Sequence, residues 1–367
     1  MAEITLGRKA NGQLKKKYIY GQTFKEVSAK LKEALAEQQR GQLVESSRIT
    51  VAEWLNHWVN NCVKGSIRLT TWESYETMAR VHIIPSLGRL RLQKLTTGQI
   101  QCFLADRLEH GRADGKGGLS PKSTRYLHFI LHAAINQAVK EGIVPRNVAA
   151  DVVLPALDAR KVKPLTGEEI HRLLAANRNH RLYPALLLEL GTGIRRGELL
   201  ALKWENTDLV NGTITIVESL VRTRHGAKVQ EPKTKTSRRV IHLPGEVVKE
   251  LKSYRKSWLE NKMALGEKYN NTDIMFSQVN GKPLDPRNFQ RTFSEVWLKQ
   301  ANLQKIRFHD LRHTHASQLL ALNVHAKIVQ ERLGHNDIRT TLDTYSHLIP
   351  GLQKEAAEKI DSLLKVQ

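Results

Sequence analysis

The sequence predicts a multidomain protein: a small N-terminal β-sheet with one helix, an all-α domain, and a mainly helical α+β domain with a small antiparallel sheet. Three observations lead there. At 367 residues and 40% hydrophobic content, the chain is long enough for two or three domains with sizeable cores. Its hydrophobic periodicity changes twice, from strand-like at the N-terminus to helical between Thr50 and about Ala150, and then to a mixture of both. Between the second and third regimes, PALDARKVKP at 155–164 carries two prolines and four charges and reads as a linker.

Residues 1–48 open with ITLGRKANGQLKKKYIYGQTF, short basic strands around the Asn11-Gly12 hairpin-turn signal. A helical pattern from about Lys25 to Gln39 places Val27, Leu31, Ala34 and Leu35 on one stripe. A charged face is usually just solvated, yet Lys15, Lys16 and Lys17 beside Tyr18, with Arg8, also suit a sheet that reads a DNA groove. From 50 to 154 helices are expected near 50–62, 70–83, 96–110 and 121–141, with Pro85 and Ser86-Leu87-Gly88 breaking the second from the third. The loop GRADGKGG is no phosphate-binding Walker motif, because Lys116 is followed by Gly117 where Ser or Thr is required. Thr166 and Glu169 form a capping-box signal that opens the third domain, residues 165–367. There helices give way after Asn211-Gly212 to the strand patterns TITIVESLVR, AKVQEP and RRVIHLP, and then return, ending in a tail helix.

Charge narrows the partner. Lys and Arg number 58 against 36 Asp and Glu, a formal net charge of +22, which points to a polyanion, most often nucleic acid, although a merely soluble basic protein is the bland alternative. Cys62 and Cys102 are far apart and without CxxC spacing, so no disulfide framework or cysteine zinc site is indicated and a reducing cytoplasm is the expected setting. No apolar signal core opens the chain, and no apolar run approaches the roughly 20 residues a membrane helix requires.

HDLRH at 309–313 sets His309 and His313 four apart, as in helical zinc sites, but Asp310 stands where those sites carry glutamate and Arg312 would bring a cation to the metal. Guanidinium forks match phosphate oxygens, so Arg195 and Arg312 suit a phosphate clamp. His309 stands one helical turn before Arg312 at a helix N-terminus that favours anions. Arg196 reads as a solvated neighbour, Glu198 as a structural partner to a cation, and His313, His315, His325 and His347 as structural.

Four stretches form a constellation: GTGIRRGELLALKW (191–204), EPKTKTSRRVIHLP (231–244), FHDLRHTHAS (308–317) and LGHNDIRTTLDTYSHL (333–348). Together they resemble the active-site segments of the tyrosine recombinases, the integrases of phages and conjugative transposons. The resemblance covers roughly the last 200 residues closely; upstream, HIIPSLG followed by LTTGQI resembles the family's core-site-binding domain and the basic N-terminus its arm-site-binding domain. It implies Tyr345 as the nucleophile of a 3′-phosphotyrosyl intermediate, with Arg195, Arg312, His309 and His335 around the phosphate. It also implies a hairpin lysine as the acid for the leaving 5′ oxygen, Lys233 preferred over Lys235. No metal or other cofactor is expected, because the covalent link conserves the energy of the broken bond. The implied function is site-specific integration and excision of a mobile element through strand exchange and a Holliday junction, in the bacterial cytoplasm. The implied partners are double-stranded DNA at core and arm sites, a homotetramer on that DNA, a host DNA-bending protein and an excisionase. A type IB topoisomerase shares the chemistry without synapsis, and a catalytically silent DNA-binding regulator is the reading from another class; the separate arm-like and core-like domains favour the integrase.

Overall fold

The computed structural model describes residues 1–8, 13–39, 47–157, 163–230 and 238–334, with Asp337, Ile338, Ile360, Asp361 and Leu364. Lys233, Lys235, His335, Tyr345 and His347 lie outside the described residues, as do the side chains of Arg8, Lys15 and Lys17. The chain divides into two compact units, Met1–Ala159 and Arg160–Gln367.

In the first unit, β1 (Ala2–Arg8) and β2 (Leu14–Ile19) pair antiparallel, with Ala2 opposite Ile19 and Ile4 opposite Lys17. α1 (Phe24–Gln39) covers one face, where Ile4, Ile19 and Ala34 form a small core with Leu31 against it. Leu35, expected on that stripe, is 44% exposed, because a two-stranded sheet is too narrow to cover a helical neighbour about 100° away from Ala34. On the open face Tyr18 is exposed, and Lys16 is paired with Glu3 across the hairpin at 2.8 Å. An acid therefore engages Lys16 on the open face of the hairpin.

A separate apolar core follows. α2 (Val51–His57) starts with a capping box, Thr50 and Glu53 bonding each other's backbone N–H groups, and runs on through a π-helical turn to Val63. α3 (Leu69–Met78) likewise runs on to Ile83 and directly into α4 (Ile84–Leu87). Pro85 thus does not break the helical path, and the chain turns at Gly88, the last residue of the expected break. α5 (Thr97–His110) opens with a Thr96–Gln99 capping box, and α6 (Pro121–Lys140) with Ser120 as N-cap. Trp54, Ile83, Ile100, Leu104, Leu127 and Ile130 fill the interior, and Trp54 Nε1 donates to Ala134 O at 2.8 Å, tying α2 to α6.

The second unit begins at the predicted capping box: Thr166 and Glu169 cap α7 (Gly167–Ala176). α8 (Tyr183–Thr192) and α9 (Arg196–Ala201) follow, then β3 (Thr207–Asp208), β4 (Thr213–Ile216), β5 (Ser219–Thr223), β6 (Gly226–Gln230) and β7 (Arg239–His242). The remaining elements are α10 (Gly245–Leu265), α11 (Pro286–Thr292), α12 (Leu298–Gln300), α13 (Phe308–Ala321) and α14 (Ala326–Leu333). Where one small sheet was expected there are two, β3-β4-β7 and a separate β5-β6 hairpin, because β5 leaves the sheet to pack on α9. Leu186, Leu188, Ile194, Leu199, Ile214, Ile241, Phe276 and Trp297 belong to the core of this unit. Among the described residues, no helix is long and apolar enough to cross a membrane. In the tail, Ile360 and Leu364 are both exposed.

Candidate active site

Two helix C-termini build the site. α8 ends at Gly193 (φ 62°) and α14 at Gly334 (φ 68°), both left-handed, where a side chain is disfavoured. Space is closed as well: a Cβ on Gly193 would lie 2.7 Å from His315 Cδ2 and 2.9 Å from Leu333 Cδ2. Gly193→Ala is therefore expected to destabilise the protein by about 1–3 kcal/mol, from the strained backbone and overpacking together, with a lower urea midpoint and unchanged slope. An unchanged midpoint would show that this turn relaxes freely.

Helix ends leave carbonyls without partners and carry partial negative charge. Here cations and one imidazole take them. Arg312, on α13, donates from Nη1 to Gly193 O and from Nη2 to Leu333 O, each at 2.7 Å. Arg195 Nη2 donates to Gly334 O at 2.7 Å, Arg239 Nε to Arg332 O at 2.9 Å, and Arg332 Nη2 to Gly191 O at 2.8 Å. His315 Nδ1 lies 2.8 Å from Leu190 O, and its Nε2 is 3.2 Å from Arg332 Nε. An arginine nitrogen can only donate, so Nε2 accepts, Nδ1 carries the proton and the ring is neutral. Burial agrees, pushing His315 down to about 4.

Glu198 joins the cations. It is 4% exposed; its Oε1 accepts from Arg195 Nη1 at 2.7 Å, and its Oε2 from Arg239 Nη2 at 2.8 Å and from the Arg195 backbone N–H at 3.0 Å. Burial alone would raise its carboxyl, but the bond and charge of Arg239, then the charge of Arg195, prevail and hold it below the usual carboxylate range. Arg312 is 2% exposed, and burial followed by the neighbouring charge of Arg195 lowers it to about 10, so it stays cationic at neutral pH. The Arg195 side chain keeps 38% of its surface open. The two guanidiniums are thus held from behind by carbonyls, with N–H groups that bond none of the described residues, an arrangement suited to an anion.

Aromatic packing sets where α13 begins. Phe308 sits edge-on to Phe289 (4.9 Å between centroids) and Phe293 (5.2 Å), pairs worth about 0.5–1.5 kcal/mol each beyond their buried area. Asp310 accepts from the Arg307 backbone N–H at 2.8 Å, so its carboxylate caps the helix. His309, one residue into the helix, lies edge-on to His313 at 5.2 Å. The protein around its ring, then His313 and Arg312, pushes His309 down to about 4, although the residue still reaches solvent; in this state it is a neutral imidazole.

Of the residues singled out from sequence, Arg195, His309 and Arg312 come together, coupled closely enough for the arginine charges to act on the histidine. The turn before His335 reaches the same place through Gly334 O. Glu198 has the structural pairing expected of it. Arg196 is a correction: it is half-buried and donates to Gln290 Oε1 at 3.2 Å, because α11 packs against α9 and removes it from solvent. Three participants were missed. Arg239 shares the inward side of β7 with buried Ile241, a period-two signal that could have found it. Arg332 and Glu189 carried no local signal; Glu189 is fully buried in the last turn of α8, and neither carboxyl oxygen has a hydrogen-bond partner among the described residues.

Comparison with known proteins follows the same segments. Residues 163–350 match the model of the phage integrase family, and residues 50–106 that of the phage integrase N-terminal SAM-like domain. A tyrosine recombinase XerC-like protein of Caldanaerobacter subterraneus subsp. tengcongensis is 30% identical over 379 residues, covering 98% of this chain and 95% of its own. The Tn1549 transposon integrase, solved in complex with a circular intermediate DNA, superposes with a TM-score of 0.70 at 21% identity, covering 85% of this chain and 99% of its own. A lambda integrase tetramer bound to a Holliday junction gives 0.61 at 20% identity, over 92% of this chain and 91% of its own.

Proposed function

This chain belongs to the phage integrase family of tyrosine recombinases, and from that premise we propose that it integrates and excises a mobile element through a 3′-phosphotyrosyl DNA intermediate. As a tyrosine recombinase it cleaves and religates DNA strands. One observation carries the assignment of roles: Arg195 and Arg312, distant in sequence, are brought together and held by Glu198 and by two helix-end carbonyl sets. A scissile phosphate placed against their remaining N–H groups would have its non-bridging oxygens gripped by forks, and the negative charge gathering in the transition state would meet cations already in position. Tyr345 Oη attacks phosphorus, the bond from phosphorus to the 5′ oxygen breaks, and Lys233, or Lys235 beside it, protonates the leaving oxygen. His309 and His335 serve the phosphate oxygens; His309 enters as the neutral imidazole, able to donate one N–H or accept a proton. Religation reverses these steps with a different 5′ hydroxyl, which makes strand exchange and passage through a Holliday junction the natural outcome.

The regions divide the work. Residues 1–48 bind arm sites, with Arg8, Lys15, Lys16, Lys17 and Tyr18 as candidate DNA contacts, and residues 50–154 bind the core site. Residues 155–164 link them to the catalytic region, 165–367. A homotetramer assembles on two DNA partners in the bacterial cytoplasm, and a host DNA-bending protein and an excisionase set direction. The fold shared with the Tn1549 and lambda integrases supports this scheme, as does the excess of basic residues over acidic ones.

The wild-type protein is expected to trap a covalent adduct on a nicked core-site duplex in the presence of a chelator, and failure to do so on any duplex carrying the element's junction sequence would sink the proposal. Deleting residues 1–48 is expected to leave that cleavage largely intact while impairing recombination of full-length attachment sites. Loss of core cleavage by a well-folded deletion would refute the division of labour.

A further inference from the structure

Glu189 takes no part in the scheme above, yet the fold keeps it at a cost. It is 0% exposed and, among the described residues, neither of its carboxyl oxygens has a hydrogen-bond partner, an arrangement that is destabilising for a polar group. It also stands in the last turn of α8, the end where a helix disfavours negative charge. The same helix end supplies the Gly193 carbonyl that holds Arg312. Arg312 from α13, Glu198 from α9 and Arg239 from β7 all act on it electrostatically. His315 from α13 and Arg332 from α14 meet the neighbouring carbonyls of Leu190 and Gly191, while α7 and α10 bring Leu173, Val247 and Leu251 to the surrounding core.

We propose that Glu189 is a positioning residue for Arg312: kept as a neutral acid, it leaves the guanidinium to the carbonyls and the phosphate, and once ionised it draws the guanidinium away from both. Burial raises the carboxyl well above the usual carboxylate range against the pull of Arg312, which favours its protonated form. The charge balance explains why this matters. Arg195, Arg239, Arg312 and Arg332 against Glu198 leave an excess of three positive charges around the incoming phosphate, and an ionised Glu189 would cancel one of them. Because the neutral acid is the working form, cleavage falls as pH rises through its titration, about tenfold per pH unit beyond it.

The inference rests on Arg312 serving the phosphate, so adduct formation itself is the control. Single-turnover adduct formation on a nicked core-site duplex is measured between about pH 7 and about pH 10 for the wild type, Glu189→Gln and the apolar Glu189→Met, with thermal melts of all three. The wild type is expected to lose rate on the alkaline side at least about tenfold more steeply than either variant, whose side chains cannot ionise. Both variants should melt no lower than the wild type, since each removes a buried ionisable group. Parallel alkaline profiles in all three proteins, with adduct formed by each, would overturn the role of Glu189 alone. Absence of adduct in the wild type at every pH would overturn the phosphate reading and this inference together.

Discussion

Tyr345→Phe is expected to abolish the covalent protein–DNA adduct, a loss on the order of 10⁴-fold or more, as when the nucleophile of a covalent mechanism is removed. The substitution deletes one oxygen and keeps the ring. Folding should change by less than about 0.5 kcal/mol and DNA affinity should barely move, because phosphate contacts by Lys and Arg dominate binding. Failure of the variant therefore locates the defect in chemistry, which a mobility shift on the same duplex verifies. The wild-type reaction should persist in a chelator, since the phosphotyrosine conserves bond energy and the arginines supply the positive charge. An adduct formed by the variant would overturn the assignment of Tyr345. Activity lost on chelation would instead favour a metal at HDLRH.

Arg312→Lys is expected to lower cleavage by about 100-fold or more, and to destabilise the fold as well. The wild-type guanidinium spans Gly193 O and Leu333 O at 2.7 Å each, joining the ends of α8 and α14. A single ammonium cannot reproduce that fork and still serve a phosphate, and a buried carbonyl left without a donor costs about 1–3 kcal/mol. Arg195→Lys should lose comparable activity with a smaller effect on stability, because 38% of its side chain is open to water. Cleavage rates and urea melts on the two variants separate these effects. If Arg312→Lys cleaved within a few-fold of the wild type, the fork would not be the catalytic feature.

How much of this was legible beforehand depended on how local each signal was. Helix starts were read well where a capping box marks them, as at Thr166 and Glu169, since that signal lies within four residues. Periodicity predicts three domains where the chain divides into two compact units, with the boundary inside the predicted 155–164 linker, and the order of GTGIRRGE, HDLRH and LGH carries the family resemblance that the comparison bears out. Leu35 was misjudged because its burial depends on how wide a surface the two-stranded sheet offers, and the single expected sheet became two because β5 found a better surface on α9. Arg196 shows the same limit, and Arg239, whose inward direction strand alternation gives, shows it for the choice of partner. Each is an arginine beside another arginine in the sequence, and only packing decided that Arg196 would bond Gln290 and Arg239 would bond Glu198.

The sequence by itself determined the family: a basic chain whose ordered motifs GTGIRRGE, HDLRH and LGH resemble the tyrosine recombinases and fall within the matched phage integrase region. It also determined the two glycines that end α8 and α14, because a left-handed turn depends on the residue that makes it. Only the tertiary structure decided that those helix ends converge, that their carbonyls hold Arg195, Arg239, Arg312 and Arg332, and that Glu189 is shut in beside them with no hydrogen bond to any described residue. Turns and caps are set by neighbours in the chain. The charge state and aim of a buried group are set by whichever distant residues fold against it, and for Arg312 those lie 119 residues away at Gly193 and 21 at Leu333.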